Sequence, residues 1–315
     1  MQEGLFYNVC LAVGALTIVR ALGRFLKGAY RHFLRPARNL KRSYGGAWAC
    51  VTGATDGIGK AMAIQLAKSQ KMNVLLISRT QSKLDAVAAE ISEKYGVETK
   101  TLAIDYAEFG ERSRKRTADA FAGLEGGLGV LVNNVGVSYD HPMFFDELDD
   151  DAVSKLISLN ISSTTWMTRI ALPGMLERGK GAIVNIGSAA GLTESPLLSQ
   201  YSAAKSYIEK FSASLHAEYA AKGVHVQCQS PFFIVSKLSK FRRASLLVPS
   251  AAAYAKAAVA SIGYEPVSSP YWVHALLSYF MDAVHYDYRA PAVCKHHLSI
   301  RKRALRKKER LAKKE

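Results

Sequence analysis

The sequence predicts an α/β fold: a doubly wound parallel sheet with helices on both faces, preceded by an N-terminal apolar helix of the kind that anchors a chain in a membrane. Three observations carry that expectation. Short apolar runs alternate with helix-type stretches from residue 47 to residue 229. A glycine turn, Gly53-Ala54-Thr55-Asp56-Gly57-Ile58-Gly59, stands between the first run and the first helix. Glycines and polar residues then recur at the C-terminal ends of the runs, so one edge of the sheet collects the chemistry.

At the N-terminus, residues 5–19 form an apolar run broken only by Asn8, shorter than the roughly 20 residues of a full span. Arg20 and Arg24 can snorkel and lengthen it. A signal-anchor helix is the preferred reading, and an amphipathic segment lying in the membrane plane is the competing one. A cleaved signal peptide fits poorly, because the positive charges follow the apolar run. Residues 20–42 carry eight Lys/Arg and no acid, which orients the following body toward the cytosol. Residues 295–315 carry ten Lys/Arg and two acids, whereas residues 43–294 balance 24 bases against 23 acids. The net charge of +16 therefore belongs to the flanks, a distribution that suits a membrane surface or an acidic ligand. It argues against nucleic acid as a partner, with no zinc or helix-turn-helix pattern to support one. The expected organisation is an anchor and basic linker (1–42), a nucleotide-binding domain (43–294) and a basic tail (295–315). Cys10, Cys50, Cys228 and Cys294 match no metal or redox spacing and read as reduced thiols.

The runs 47–52, 73–78, 99–104, 130–132, 182–186 and 224–229 are the expected strands. Strand, glycine turn and helix (60–68) together make a phosphate-binding entry, since glycines allow close backbone approach and the helix N-terminus presents N–H groups. At the end of the second strand, where an acid would bind a ribose hydroxyl, stands Arg79, whose fork suits a 2′-phosphate and so NADP(H). Asp105, Asn133, Ser188 and Pro231 end or follow the later strands. Helices are expected over 82–95, 146–160, 161–177 and 206–220, the last including the preceding Tyr201-Ser202-Ala203-Ala204-Lys205. Positions four apart share a helix face, so Tyr201 and Lys205 point the same way. A neighbouring ammonium lowers the pKa of a phenol, making Tyr201 a candidate proton donor to a carbonyl under reduction.

Together these residues resemble the short-chain dehydrogenase/reductase family, with its Rossmann-like sheet. Thr52-Gly53 to Gly59 matches the family's cofactor turn, and Asn133-Asn134-Val135-Gly136 its Asn-Asn-Ala-Gly signature except at Val135. Asn160, Ser188, Tyr201 and Lys205 match its catalytic tetrad. Segments outside the common core, 33–40, 242–245, 263–265 and 270–276, are similar to the branch of very-long-chain 3-oxoacyl-CoA reductases of the endoplasmic reticulum, the plant type in particular, to which 17β-hydroxysteroid dehydrogenases are related.

That resemblance implies an NADPH-dependent reduction of a 3-oxoacyl-CoA in fatty-acid elongation. Tyr201 would give the proton, Lys205 would depress its pKa and hold the nicotinamide ribose, Ser188 would bond the carbonyl oxygen, and Asn160 would hold a water. The implied cofactor site comprises Gly53, Thr55, Asp56, Gly57, Ile58, Gly59, Arg79, Asp105, Asn133, Tyr201, Lys205 and Pro231, with no metal. It also implies elongase partners, a location in the endoplasmic reticulum membrane with the catalytic domain toward the cytosol, and leaves homo-oligomerisation open. Two alternatives stand beside it: the same chemistry on a steroid or other lipid ketone, and a weakly catalytic scaffold subunit, suggested by Val135 crowding the nicotinamide site. Residues 276–284 read as a lid, an in-plane helix or core, the tail as a partly disordered arm ending in a dilysine-like signal, His285, His296 and His297 as surface residues, and Asp149-Asp150-Asp151 as a helix start.

Overall fold

Why the sheet is buried on both sides follows from the strand sequences. In β1 (Trp48–Thr52), Ala49 and Val51 point to one face and Trp48 and Cys50 to the other, all fully buried. The computed structural model describes residues 2–313. Its chain divides into two compact units, residues 1–36 and 37–315.

In the first unit, α1 runs unbroken over Gln2–Ala29 and continues into a π-helical turn, Tyr30–Leu34. Twenty-eight residues give a rod of about 42 Å. The stretch Gly4–Leu34 is thus long and apolar enough to cross a bilayer as a membrane anchor. The apolar run of residues 5–19, which Ala21, Leu22, Phe25 and Leu26 extend past Arg20, lies wholly within this helix, and the helix continues beyond it through Lys27.

In the second unit, α2 (Leu40–Tyr44) is capped by Asn39, whose side chain accepts from Arg42 N–H at 3.0 Å. Leu40 and Tyr44 are buried in the core, so the body begins by residue 37 and not after residue 42. The remaining strands are β2 (Asn73–Ser78), β3 (Thr99–Ala103), β4 (Leu128–Asn133), β5 (Gly181–Ile186), β6 (Val224–Gln229) and β7 (Val267–Ser268). They form one seven-stranded parallel sheet in the order β3-β2-β1-β4-β5-β6-β7. The direction of winding reverses between β1 and β4, the switch point where such sheets bind ligands. Strand β7 escapes the sequence reading because two residues carry no periodicity.

Helices α3 (Gly57–Gln70), α4 (Gln81–Tyr95) and α10 (Ala251–Ala260) cover one face, while α5 (Glu111–Ala122) and α7 (Ser163–Glu177) cover the other. Before α7 lie α6 (Asp150–Ile157), capped by Asp149, and a π-helical turn, Ser158–Ser162, that carries Asn160. The break expected after residue 160 is thus a bulge within a nearly continuous helix. Helix α8 (Ala189–Leu192) follows β5, and α9 (Ser199–Tyr219) contains Tyr201 and Lys205. The chain closes with α11 (Trp272–Ala283) and α12 (Tyr286–Ala312).

The tail expected to be partly disordered is helical. Arg301 of the tail pairs with Glu147 and Lys308 with Asp140 at 3.0 Å, and Arg289 just before it pairs with Glu194 at 2.9 Å, which ties this helix to the body. Lys314 and Glu315, the end of the dilysine-like segment, lie outside the described residues.

Candidate active site

Two adjoining cavities open at the C-terminal edge of the sheet, and Ile58, Asn134 and Gly136 line both. The first, ≈ 400 Å³, is walled by the glycine turn, Arg79 and Val135. Gly53 and Gly57 have φ of +63° and +54°, backbone that glycine adopts without strain. At Gly59 a Cβ would lie 2.3 Å from the Gly53 carbonyl oxygen, so only glycine lets α3 begin this close to β1. Asp56 caps α3, accepting from Gly57 N–H at 2.7 Å, and its carboxyl is held below its usual range, chiefly by the Lys237 ammonium 2.6 Å away. The Thr55 hydroxyl shares a 3.1 Å bond with Ser78.

Asn134, not assigned from sequence, ties this turn to β4: its side chain donates to the Thr52 carbonyl at 3.0 Å, while Thr52 Oγ1 accepts from Asn134 N–H at 2.9 Å and Val135 N–H at 3.2 Å. The cradle, its helix N-terminus and the exposed Arg79 fit a phosphorylated dinucleotide.

Four of the residues expected here, Thr55, Gly59, Asp105 and Asn133, line neither cavity, the first two standing within the glycine turn itself. Asn133 lines neither cavity; it is buried and donates to Asn185 Oδ1 at 2.9 Å and Thr168 Oγ1 at 3.1 Å, bracing β4 against β5. Asp105 also lines neither, and caps the short turn that follows it by accepting from Ala107 N–H at 2.9 Å. Val135 lines the first cavity beside Gly53 and not the one that contains Tyr201.

The second cavity, ≈ 310 Å³, contains Ser188, Tyr201, Lys205 and Pro231 in its wall. Ser188 stands at the N-cap of α8, where its Oγ accepts from Ala190 N–H at 3.2 Å, and its hydroxyl lies near enough to the Tyr201 phenol to lower that group's pKa. That juxtaposition depends on α8 lying against α9. A Cβ at Gly191 would come within 2.5 Å of the Lys205 backbone, and Ser202 and Ser206 donate to the Ala190 and Gly191 carbonyls at 2.6 and 2.7 Å. Ser202 and Ser206 are four apart on one helix face, a signal present in the sequence but masked by the Tyr–Lys pair beside it. Pro231 fixes the same segment by accepting from Ala189 N–H at 2.8 Å.

Asn160 is buried on its π-turn and donates to the Val137 and Leu156 carbonyls at 2.9 and 3.0 Å. A Cβ on Gly136 would lie 2.6 Å from Asn160 Oδ1 and 3.3 Å from Lys205 Nζ, which puts these two side chains around one point. The four residues expected to act together are therefore together.

Their electrostatics differ from expectation. Burial raises the Tyr201 phenol, and the neighbouring Ser188 hydroxyl lowers it. Lys205 does not reach the phenol oxygen: its ammonium lies 5.8 Å from the ring centre and donates to the Ile186 carbonyl at 2.9 Å. The expectation that Lys205 sets the Tyr201 pKa is not what this arrangement shows; Ser188 is the hydroxyl's polar partner.

Burial also pushes Lys205 down from 10.5 to about 8. Because the folded pKa lies below the unfolded one, the unfolded chain holds more protons between those values. The cost of burying the ammonium is then fully present below about 8 and is relieved as pH rises toward 10.5, on the order of 3 kcal/mol in all. Melting scans of a Lys205→Met variant beside the parent chain should show the variant's relative stability falling as pH rises from neutral through that window. A pH-independent difference would contradict the buried ammonium.

Of the far wall, only Met281 falls in a segment for which the sequence offered a lid among its readings. Met281 of α11 and Val293, His296 and His297 of α12 line the catalytic cavity. His297 is buried, not a surface residue; its Nδ1 donates to the Pro196 carbonyl at 2.6 Å, and burial lowers its pKa. His274 of α11 is also buried, and receives Phe232 N–H on Nδ1 at 3.3 Å. The two C-terminal helices thus hold the segments before α9 and after β6 that frame the site.

A parallel sheet with this switch point, a glycine cradle and a Ser–Tyr–Lys cluster is the arrangement of a nucleotide-dependent oxidoreductase. The chain belongs to the short-chain dehydrogenase family, whose model matches residues 47–246. Very-long-chain 3-oxoacyl-CoA reductase of Anas platyrhynchos is 44% identical over 299 residues, covering 94% of this chain and 92% of that protein. The Homo sapiens protein of the same name is 47% identical over 234 residues, 74% of this chain and 73% of its own. Among solved structures, a short-chain dehydrogenase from Sphingobium yanoikuyae in complex with NADPH superposes with a TM-score of 0.65 at 25% identity, covering 75% of this chain and 92% of that one.

Proposed function

We propose that the chain reduces very-long-chain 3-oxoacyl-CoA to 3-hydroxyacyl-CoA with NADPH, as the names of its near-full-length relatives indicate. The observation that carries this reading is the Ser188–Tyr201 pair in a cavity continuous with the glycine cradle. NADPH, when bound, supplies the hydride. Gly53, Gly57, Ile58 and Gly59 would receive its pyrophosphate and Arg79 its 2′-phosphate. Ser188 would donate to the substrate carbonyl oxygen, stabilising the negative charge that grows there. Tyr201, kept protonated by burial, would deliver its proton to that oxygen. Lys205 would hold the ribose, and Asn160 would fix the Val137 backbone and the position of Lys205.

The tail and α11 lie beyond the family-model match of residues 47–246, and Met281 and Val293 offer apolar wall to an acyl chain. The N-terminal helix anchors the chain. In our reading it does so in the endoplasmic reticulum membrane with the basic residues 20–42 and the catalytic body on the cytosolic side, beside the other elongation enzymes. A competition assay offering long-chain 3-oxoacyl-CoA and a ketosteroid, each with NADPH or NADH, tests this. Preference for the acyl-CoA and NADPH is expected; preference for the steroid, or binding of NADPH without turnover of any ketone, would overturn it.

A further inference from the structure

A third cavity, ≈ 1010 Å³, lies between α3, the start of α10, the loop after β6 and α12. Ser236 lines it and both cavities of the active site, so the three communicate. Its wall carries Lys60, Lys68, Lys237, Lys240, Arg242 and Lys307 against one carboxylate, Asp56. Three of these cations are spent: Lys60 on Glu90 at 2.8 Å, Lys237 on Asp56 at 2.6 Å, and Lys240 on Asp140. Lys68, Arg242 and Lys307 have no acidic partner among the described residues, and they come from three separate elements. Gathering unpaired like charges on one wall is repulsive unless an anion joins them. The same wall contains Tyr95 and Phe241, whose rings can cover a planar base. Arg79 is not part of it, so the 2′-phosphate of the dinucleotide has its own cation elsewhere, although Asp56 and Gly57 of the glycine turn line both cavities.

We propose that this cavity is the subsite for the 3′-phosphoadenosine diphosphate end of the substrate's coenzyme A. The inference rests on the acyl-CoA reading above. That end of coenzyme A carries about four negative charges and one purine, which matches three free cations and two aromatic faces. The pantetheine arm then passes Ser236 to bring the thioester toward Tyr201. An anionic lipid headgroup presents the same phosphate chemistry without the purine.

The test titrates adenosine 3′,5′-bisphosphate into the full-length chain saturated with NADPH. Binding should weaken with salt, and should fall about tenfold or more when Lys68, Arg242 and Lys307 are all changed to alanine. The same triple variant should raise KM for a 3-oxoacyl-CoA by a similar factor. Its kcat and its KM for NADPH should not change, nor its KM for the matching N-acetylcysteamine thioester, which has no nucleotide. Absent bisphosphate binding, equal binding by the variant, or an equal rise in KM for the truncated thioester would overturn the subsite. Loss of binding to phosphatidylserine vesicles in the variant, with bisphosphate binding retained, would assign the wall to lipid and overturn it too. If bisphosphate binds as expected but neither thioester is reduced, the functional reading fails and the nucleotide subsite stands.

Discussion

Replacing Tyr201 with phenylalanine should lower turnover by about 10²–10⁴-fold, the contribution of a positioned proton donor, while NADPH affinity stays nearly unchanged. The ring itself is one wall of a small cluster with Tyr139 and Leu156, and phenylalanine fills that place. Only the hydroxyl and its interaction with the neighbouring Ser188 are lost, so the fold should tolerate the change at a cost of about 1 kcal/mol. Steady-state kinetics beside a cofactor titration separates the two effects. Retained turnover would mean that another group supplies the proton. A Ser188→Ala variant should also be slow, but for a different reason, since the carbonyl oxygen would lose a donor while the phenol remained.

The second large effect is expected at Gly59→Ala. The added Cβ would lie 2.3 Å from the Gly53 carbonyl oxygen and 2.5 Å from Asn134 Nδ2. The first neighbour is backbone and cannot rotate away. Helix α3 must therefore shift from β1, opening the turn whose N–H groups would face the pyrophosphate. NADPH affinity should drop by about 10²-fold or more, close to 3 kcal/mol, together with an overpacking loss of about 1–3 kcal/mol in stability. Gly110→Ala is the contrasting control: nothing lies within 4 Å of the new carbon, and NADPH affinity should hold. Fluorescence titration and thermal melts check both; unaltered cofactor affinity in Gly59→Ala would remove the glycine cradle from the binding site.

The parts of this molecule legible in the sequence are those in which local pattern and global position agree. Strands buried on both faces leave unbroken apolar runs, so β1, β2, β5 and β6 were found within a residue or two. Ser188 and Tyr201 were readable because short segments deliver them to one edge of the sheet. What was missed depends on contacts distant in the chain. Asn133 and Asn134 are neighbours in sequence but face opposite ways, as alternate residues of a strand end must, and only one reaches the cavities.

Lys205 keeps its helix face, yet its long stem carries the ammonium to Ile186 instead of the phenol. His297 and the ordering of α12 rest on pairs such as Arg301 with Glu147 and Arg289 with Glu194, which no periodicity announces. A basic composition alone could not distinguish a solvated arm from a helix tied to the body by a few of its charges.

In the proposed reaction, hydride from NADPH and a proton from Tyr201 meet on one carbonyl in this cavity. The most direct measurement supplies the full-length chain with a long-chain 3-oxoacyl-CoA and NADPH carrying deuterium at its transferable position. One deuterium at the former carbonyl carbon of the 3-hydroxyacyl-CoA, for each NADPH consumed, is the predicted result. Unlabelled product, or NADPH loss without hydroxyacyl product, would contradict it.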